Sequence, residues 1–493
     1  MKQVVAVLIL TAALRAEERE FVTTHHHIHA NGKVLNYTAR AGLIPIRNND
    51  AGDIHGNIFF VAYTLDRAAG QPVRPLTFVW NGGPGANSTL VHLVAFGPRR
   101  VRSNDDPTTT SEVATAIEDN DATWLDFTDL VFVDPVGTGF SRPAKSEYGA
   151  EFYSTLGDIA SVAEFVRLYR TQFDAFDAPV FLAGESYGTW RASGVAEALE
   201  KKGSHVAGVV LISGGIQMGP VSPDAVRTAL FVPSRTAAAF FHKRLAPELM
   251  RDEQATMKKA ETWALEQYAP AWERRDSLSE ADRDKIITQL AHYTGVDPST
   301  IDRKALMMTS PQFTAALLRD RKLAIGRYDM RVIGLGRIAD EGARDRVMMD
   351  YLRGELGFKT DLAYQGVEEG FSPVAREASI GSRWAWDQLT QPGAGQLART
   401  AVGSGDGPPP AQPWLRRAMT LNPSIKVFLA AGLYDSLNSC ADNAYLAAHV
   451  QPAGFGRNIT SGCYGAGHMM YNTKAARYEL KRDAAAFVQN ATH

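Results

Sequence analysis

Five short apolar runs, each ending in a glycine-rich turn, constrain this chain more than any other feature. RPLTFVW at 74–80 ends in NGGPG, DLVFV at 129–133 leads into DPVGTGFS, and PVFLA at 179–183 ends in GESYG. VAGVVLIS at 206–213 ends in a glycine pair, and KVFLAA at 426–431 ends in GLYD. Amphipathic stretches such as Thr155–Phe173 separate several of them. Continuous apolar runs alternating with helical patterns predict buried parallel strands joined by crossover helices, an α/β fold. Every glycine-rich turn then falls at the carboxyl edge of the sheet, where such folds bind their ligands.

Upstream, Lys33–Arg40 and Gly56–Leu65 alternate in the manner of strands. The cluster His25, His26, His27 and His29 has the look of a metal tract but lacks a second ligand set. It reads instead as a polar lead-in to the first strand, and no metal site is expected. Residues 221–402 break the strand rhythm with Ala, Arg, Glu and Leu at helical spacing, as in 237–269 and 282–292. They predict a largely helical cap inserted between a first core segment, 30–220, and a second, 414–493. GSGDGPPPAQP at 403–413 supplies a turn-rich link back to the core.

Charge excludes more than it suggests. The 52 basic and 54 acidic residues leave a net charge of −2 with no basic stripe, so nucleic acid is not an expected partner. The segment MKQVVAVLILTAALRA at 1–16 has a lysine and then an apolar run too short to span a bilayer. It predicts a signal peptide and an exported protein, periplasmic or extracellular. No later stretch approaches a membrane span.

The chemistry centres on Gly184-Glu185-Ser186-Tyr187-Gly188. A G-x-S-x-G turn between strand and helix exposes its serine in a strained conformation, although the bare pattern also occurs by chance. A hydroxyl needs a base to become a nucleophile, and the base needs an acid to orient it. In α/β-hydrolases the order along the chain is serine, acid, histidine. Asp435 in GLYD and His468 in GAGHM satisfy that order on late loops. The amide of Tyr187, with a second amide from the NGGPG loop, would hold an oxyanion.

Four segments together resemble the serine carboxypeptidase family: WNGGPGANS at 80–88, DPVGTGFS at 134–141, GESYG at 184–188 and GAGHM at 465–469. TTHHHIHANGKVLNYTA and RPLTFVWNGGPG look most like its bacterial branch. The resemblance implies an α/β-hydrolase fold and a serine-type carboxypeptidase acting on peptides with a free C-terminal carboxylate, without cofactor. It assigns Ser186 as nucleophile, His468 as base and Asp435 as its orienter, with Gly83 and Tyr187 as oxyanion donors. It places Asn81, Gly82 and Glu185 on the substrate carboxylate and Met469 in the pocket of the leaving residue. A glutamate facing a carboxylate requires a shared proton, which implies a preference for acidic pH.

The chain departs from the family where a second glutamate often pairs with the first: that position is Ala95. The usual C-S-S after the glycine loop is Ala86-Asn87-Ser88. A serine esterase or acyltransferase with the same triad, and a catalytically silent binding protein of the same fold, are the competing readings. Cys440 lies five residues after Asp435 and Cys463 five before His468. If the triad loops meet, the two thiols can form a disulfide worth about 3 kcal/mol, with a pair of free buried thiols as the alternative.

Overall fold

The computed structural model describes residues 21–68, 70–102, 105–108, 116–219, 221–334, 341–366, 380–390 and 412–492. Its strands, in chain order, are β1 (Phe21–Ala30), β2 (Lys33–Arg47), β3 (Ile54–Leu65), β4 (Leu76–Trp80), β5 (Arg99–Val101) and β6 (Ile117–Asp119). They continue with β7 (Asp129–Asp134), β8 (Arg142–Pro143), β9 (Val180–Glu185), β10 (Gly208–Ile212), β11 (Lys426–Gly432) and β12 (Ile459–Tyr464). The main sheet runs β1-β2-β3-β7-β4-β9-β10-β11-β12, with β5 and β6 in a separate ribbon. From β7 to β12 all neighbours are parallel, while β1, β2 and β3 form an antiparallel flank. This is a mostly parallel α/β-hydrolase sheet with helices on both faces and a largely helical insertion.

The five apolar runs are the central strands because both their faces are covered. Along β9, Leu182 joins the cluster beneath helices Thr155–Gln172, Gly188–Lys201 and Trp414–Leu421. Its neighbours Phe181 and Ala183 face the opposite cluster, with the C-terminal helix Lys474–Thr492 and the turn Leu90–Phe96. Alternation of this kind buries every residue of the strand, so no polar position interrupts the run.

Order in space differs from order in sequence at one place. The chain passes from β4 to β7 on one side, then crosses back to β9 on the other. Neighbouring loops diverge at such a switch point, leaving a crevice beyond the strand ends. The NGGPG and GESYG turns both open there.

Outside these strands the sequence reading needs correction. The histidine run lies within β1, paired along its whole length with β2, rather than leading into a first strand. Among the described residues no group of His, Cys, Asp and Glu is arranged to hold a metal ion. β12 was not anticipated, because its edge position leaves Thr460, Ser461 and Cys463 exposed and breaks the apolar pattern. Segments 1–16 and 403–411 lie outside the described residues. Among the described residues no helix is long and apolar enough to cross a membrane.

The stretch 221–402 is not uniform. Helices Val232–Phe241, Glu253–Trp263 and Glu280–Thr294 pack a core of their own around Trp263, Leu290 and Phe313. Met348, Tyr351 and Phe358 instead cover one sheet face, while Ile380 and Trp384 join the cluster on the other.

A buried ion pair locks helix Gly188–Lys201 to helix Thr155–Gln172. Arg191 Nε donates to both Asp158 oxygens at 3.0 and 2.8 Å, and its Nη1 donates to the Asn81 carbonyl at 2.7 Å. Burial pushes the Asp158 carboxyl up against the opposing charge of Arg191, so the acid depends on that guanidinium. Arg191→Leu alone is therefore expected to lower stability by about 3–5 kcal/mol in chemical denaturation, and Asp158→Leu added to it to recover most of the loss.

Candidate active site

Ser186 follows directly on β9 and has φ 57°, a left-handed conformation that side-chain sterics disfavour. Its amide donates to the Ile212 carbonyl at 2.9 Å, which fixes the turn against β10. The flanking glycines are required by proximity. A Cβ on Gly184 would collide with the Gly188 carbonyl, and one on Gly188 would lie 2.9 Å from the Asn81 carbonyl oxygen. Trp80 Nε1 donates to the Gly188 carbonyl at 2.9 Å, holding the end of β4 to the same turn.

The glycine loop lies directly on this elbow. A Cβ on Gly82 would come within 2.5 Å of the Tyr187 nitrogen and 2.6 Å of the Glu185 carbonyl oxygen. Gly83 takes φ 100°, which only glycine adopts without cost. The Gly83 and Tyr187 amides are thus carried on two backbone segments in van der Waals contact beside Ser186.

His468 and Asp435 are brought together by β11 and β12. His468 Nδ1 lies 2.8 Å from Asp435 Oδ2, and both residues are buried. Asp435 also accepts from the Leu437 amide and from Asn438 Nδ2, each at 2.8 Å. Asn438 Nδ2 donates in addition to the Ser213 carbonyl at 2.9 Å, while Ser213 Oγ donates to the His468 carbonyl at 2.6 Å. Gly214 packs against the Ser186 carbonyl, so residues 213 and 214 set the serine and histidine loops side by side. Among the described residues Ser186 Oγ makes no hydrogen bond to the imidazole; such contacts commonly tighten only when substrate binds.

Burial alone would hold the His468 proton off, but the charge and hydrogen bond of Asp435, with a smaller contribution from Glu185, raise its pKa above the ordinary 6.5. Glu185 is also buried. Desolvation pushes its carboxyl up to about 7, against the opposing pull of His468, Tyr471 and Asn81. Asn81 Nδ2 donates to Glu185 Oε2 at 3.1 Å and Tyr471 Oη donates to the same oxygen at 2.8 Å.

Cys440 and Cys463 form a disulfide, joining helix Cys440–His449 to β12 beside both loops. Half-buried Met469 packs against the cluster on the C-terminal helix side. Asp134 of the DPVGTGFS block is a framing residue: it accepts from the Ser88 amide at 2.8 Å and from Tyr364 Oη at 2.9 Å.

Sequence reasoning missed Tyr471, Asn438, Ser213 and Tyr328. Tyr328 comes from the insertion; its carbonyl accepts from the His468 amide at 2.6 Å, and its ring lies 5.4 Å from the imidazole. Only Tyr471 left a signal, as the third residue after the histidine in GHMMYN.

With a strained serine, a carboxylate-steered imidazole and a glycine loop at one sheet edge, the comparison with known proteins is decisive. The serine carboxypeptidase model matches residues 32–297, over half of the chain. The chain belongs to the serine carboxypeptidase family. The pheromone-processing carboxypeptidase kex1 of Aspergillus niger is 32% identical over 162 residues, 32% of this chain and 24% of that relative. Its Saccharomyces cerevisiae counterpart is 32% identical over 157 residues, 30% of this chain and 20% of the relative. The match therefore spans a quarter or less of the length of these relatives. Both are fungal, so placement in the bacterial branch rests on the N-terminal resemblance alone. Among solved structures, the prohormone-processing carboxypeptidase Kex1(delta)p of Saccharomyces cerevisiae is 17% identical with a TM-score of 0.47, covering 92% of this chain and 91% of that one. A proline iminopeptidase from Mycobacterium smegmatis is 13% identical with a TM-score of 0.40, covering 92% and 98%.

The opposing influences on His468 give a measurable consequence. Asp435→Asn removes the largest of the influences that favour the imidazolium and leaves burial in place, so the His468 pKa is expected to fall below its wild-type value. The imidazole proton resonances, followed against pH by NMR, read that shift directly.

Proposed function

We propose that this member of the family is an exported serine carboxypeptidase that hydrolyses C-terminal peptide bonds through an acyl-enzyme on Ser186. His468 takes the Ser186 proton as Oγ attacks the scissile carbonyl, and Asp435 holds the ring in the tautomer that can accept it. The Gly83 and Tyr187 amides receive the developing oxyanion. His468 then returns the proton to the departing amino group, and water releases the acyl portion by the same route in reverse. Asn81, Gly82 and Glu185 hold the carboxylate of the residue being removed, and Met469 lines its pocket.

One observation carries the choice of a carboxypeptidase over a general esterase. A buried carboxyl, Glu185, stands directly before the nucleophile and within the electrostatic reach of His468. An ionised Glu185 would repel a substrate carboxylate; a protonated one donates a hydrogen bond to it. Protonating Glu185 also withdraws one of the charges that favour the imidazolium, so the form that binds substrate assists the neutral base. Export is supported by the apolar segment at 4–14 and by the Cys440–Cys463 bridge, since disulfides persist in oxidising compartments.

A fluorophosphonate probe is expected to label the purified protein and to fail on Ser186→Ala; absence of labelling in the intact protein would favour a silent binding module. A peptide with a free C-terminus should lose single residues while its C-terminal amide resists, and equal cleavage of the two would select the esterase or acyltransferase. For pH, kcat/KM on the free-carboxylate peptide is expected to decline as Glu185 ionises near pH 7. Glu185→Gln should abolish that decline, and a wild-type profile flat from pH 5 to 8 would rule out a protonated Glu185.

A further inference from the structure

The position where the family often has a second glutamate is Ala95, yet the space around Glu185 is not left open. Ala95 is buried in the turn Leu90–Phe96, and the next residue, Phe96, meets the Tyr471 ring edge-on with centroids 6.0 Å apart. Tyr471 is itself buried, and its hydroxyl donates to Glu185 Oε2 at 2.8 Å. Its backbone is held from behind: Arg477 Nη1 donates to the Tyr471 carbonyl at 2.9 Å, and Arg477 Nη2 pairs with Asp105 at 2.8 Å.

We propose that Tyr471 is a specificity-determining residue of the carboxylate site, a phenol that replaces the missing second carboxyl and directs the proton of Glu185 toward the substrate. The proposal rests on the carboxypeptidase reading and says how that site works in this chain. Its geometric basis is that two donors, Asn81 Nδ2 and Tyr471 Oη, converge on Oε2. Among the described residues no hydrogen bond ends on Oε1. An acid proton on Oε2 would face the Asn81 amide donor and oblige the Tyr471 hydroxyl to turn from donor to acceptor, so the pair favours Oε1 as the position of the proton, for donation to an incoming carboxylate.

The chemical consequence differs from that of a carboxyl pair. Two carboxyls titrate together, and each must be considered when the proton is shared. A phenol stays protonated across the working range, so only Glu185 titrates at this position. The other ionisable groups facing Glu185 are His468 on the histidine loop and Asp435 on the acid loop. A donor to Oε2 favours the carboxylate form; removing it makes Glu185 hold its proton to higher pH.

The test uses the full chain and the alkaline limb of kcat/KM for a free-carboxylate peptide. Tyr471→Phe is expected to move that limb to higher pH by about one unit, a tenfold gain in proton affinity. Fluorophosphonate labelling of Ser186 reports whether the variant has folded with its serine accessible. The same change made on a Glu185→Gln background should have no effect on the profile. Site-specific 3-fluorotyrosine at 471, a stronger donor of nearly the same shape, should move the limb the opposite way and decides the matter if Tyr471→Phe does not fold. A limb that stays in place in the folded variant overturns the role of Tyr471 alone, provided the wild type still discriminates peptide from amide. Loss of that discrimination in the wild type overturns the carboxypeptidase reading, and this proposal with it.

Discussion

The arrangement at the sheet edge depends on how closely three backbone segments approach one another. The ends of β4 and β9 and the start of the nucleophile's helix meet at Gly82, Gly184 and Gly188, with no space for a side chain at any of them. That contact forces Ser186 into its left-handed conformation, and it brings the Tyr187 amide against the glycine loop. A strained residue persists only where its surroundings over-determine it. Here the surroundings are the Ser186–Ile212 main-chain bond, the Trp80 indole on Gly188 and the Arg191 guanidinium on Asn81. The serine's orientation is thus a property of the sheet packing, and the polar site residues are added to a frame that backbone sterics have already set.

On that frame the chain places two acids near one imidazole and treats them differently. Asp435 accepts two donors besides the ring, from Leu437 and Asn438, and stands on the Nδ1 side. Glu185 has two donors on a single oxygen and, among the described residues, none on the other. Burial lifts Glu185 to about 7 against the pull of His468, Tyr471 and Asn81, into the range where it exchanges protons near neutrality. Under the proposed mechanism Asp435 orients the imidazole and Glu185 is left to meet an anion.

The central strands were legible because burial on both faces leaves a continuous apolar signal, and the turns after them because close approach admits only glycine. β1 and β12 were not legible for the opposite reason. The histidines of β1 alternate on a sheet edge half exposed to water, and β12 carries polar residues on its open side. The positions of Ser186, Asp435 and His468 in loops after strands were readable, whereas the residues that support them were not. Ser213 and Asn438 act through contacts 225 residues apart in the chain, and Tyr471 reaches Glu185 across 286. Ala95 marked a missing carboxyl, but an absence cannot say which residue type fills the space. Phe96 packing on Tyr471 supplies that answer only in three dimensions.

The insertion adds a second layer of control that is mechanically distinct from the elbow. Its helices form an independent core, yet residues 327–331 clasp the catalytic loops. The Tyr328 carbonyl holds the His468 amide, Ser436 Oγ donates to the Arg327 carbonyl at 2.7 Å, and Arg331 Nη1 donates to the Gly465 carbonyl at 3.0 Å. Tyr434, the neighbour of Asp435, is counted in the insertion's own core. In the proposed function the hydrolase core, through Asn81 and Glu185, would grasp the carboxylate end of a substrate. The insertion contacts the loops of both His468 and Asp435, whereas the backbone of Ser186 is held by the sheet. The conformation of Ser186 thus rests on glycine contacts within the sheet frame, and the placement of His468 rests in part on the insertion.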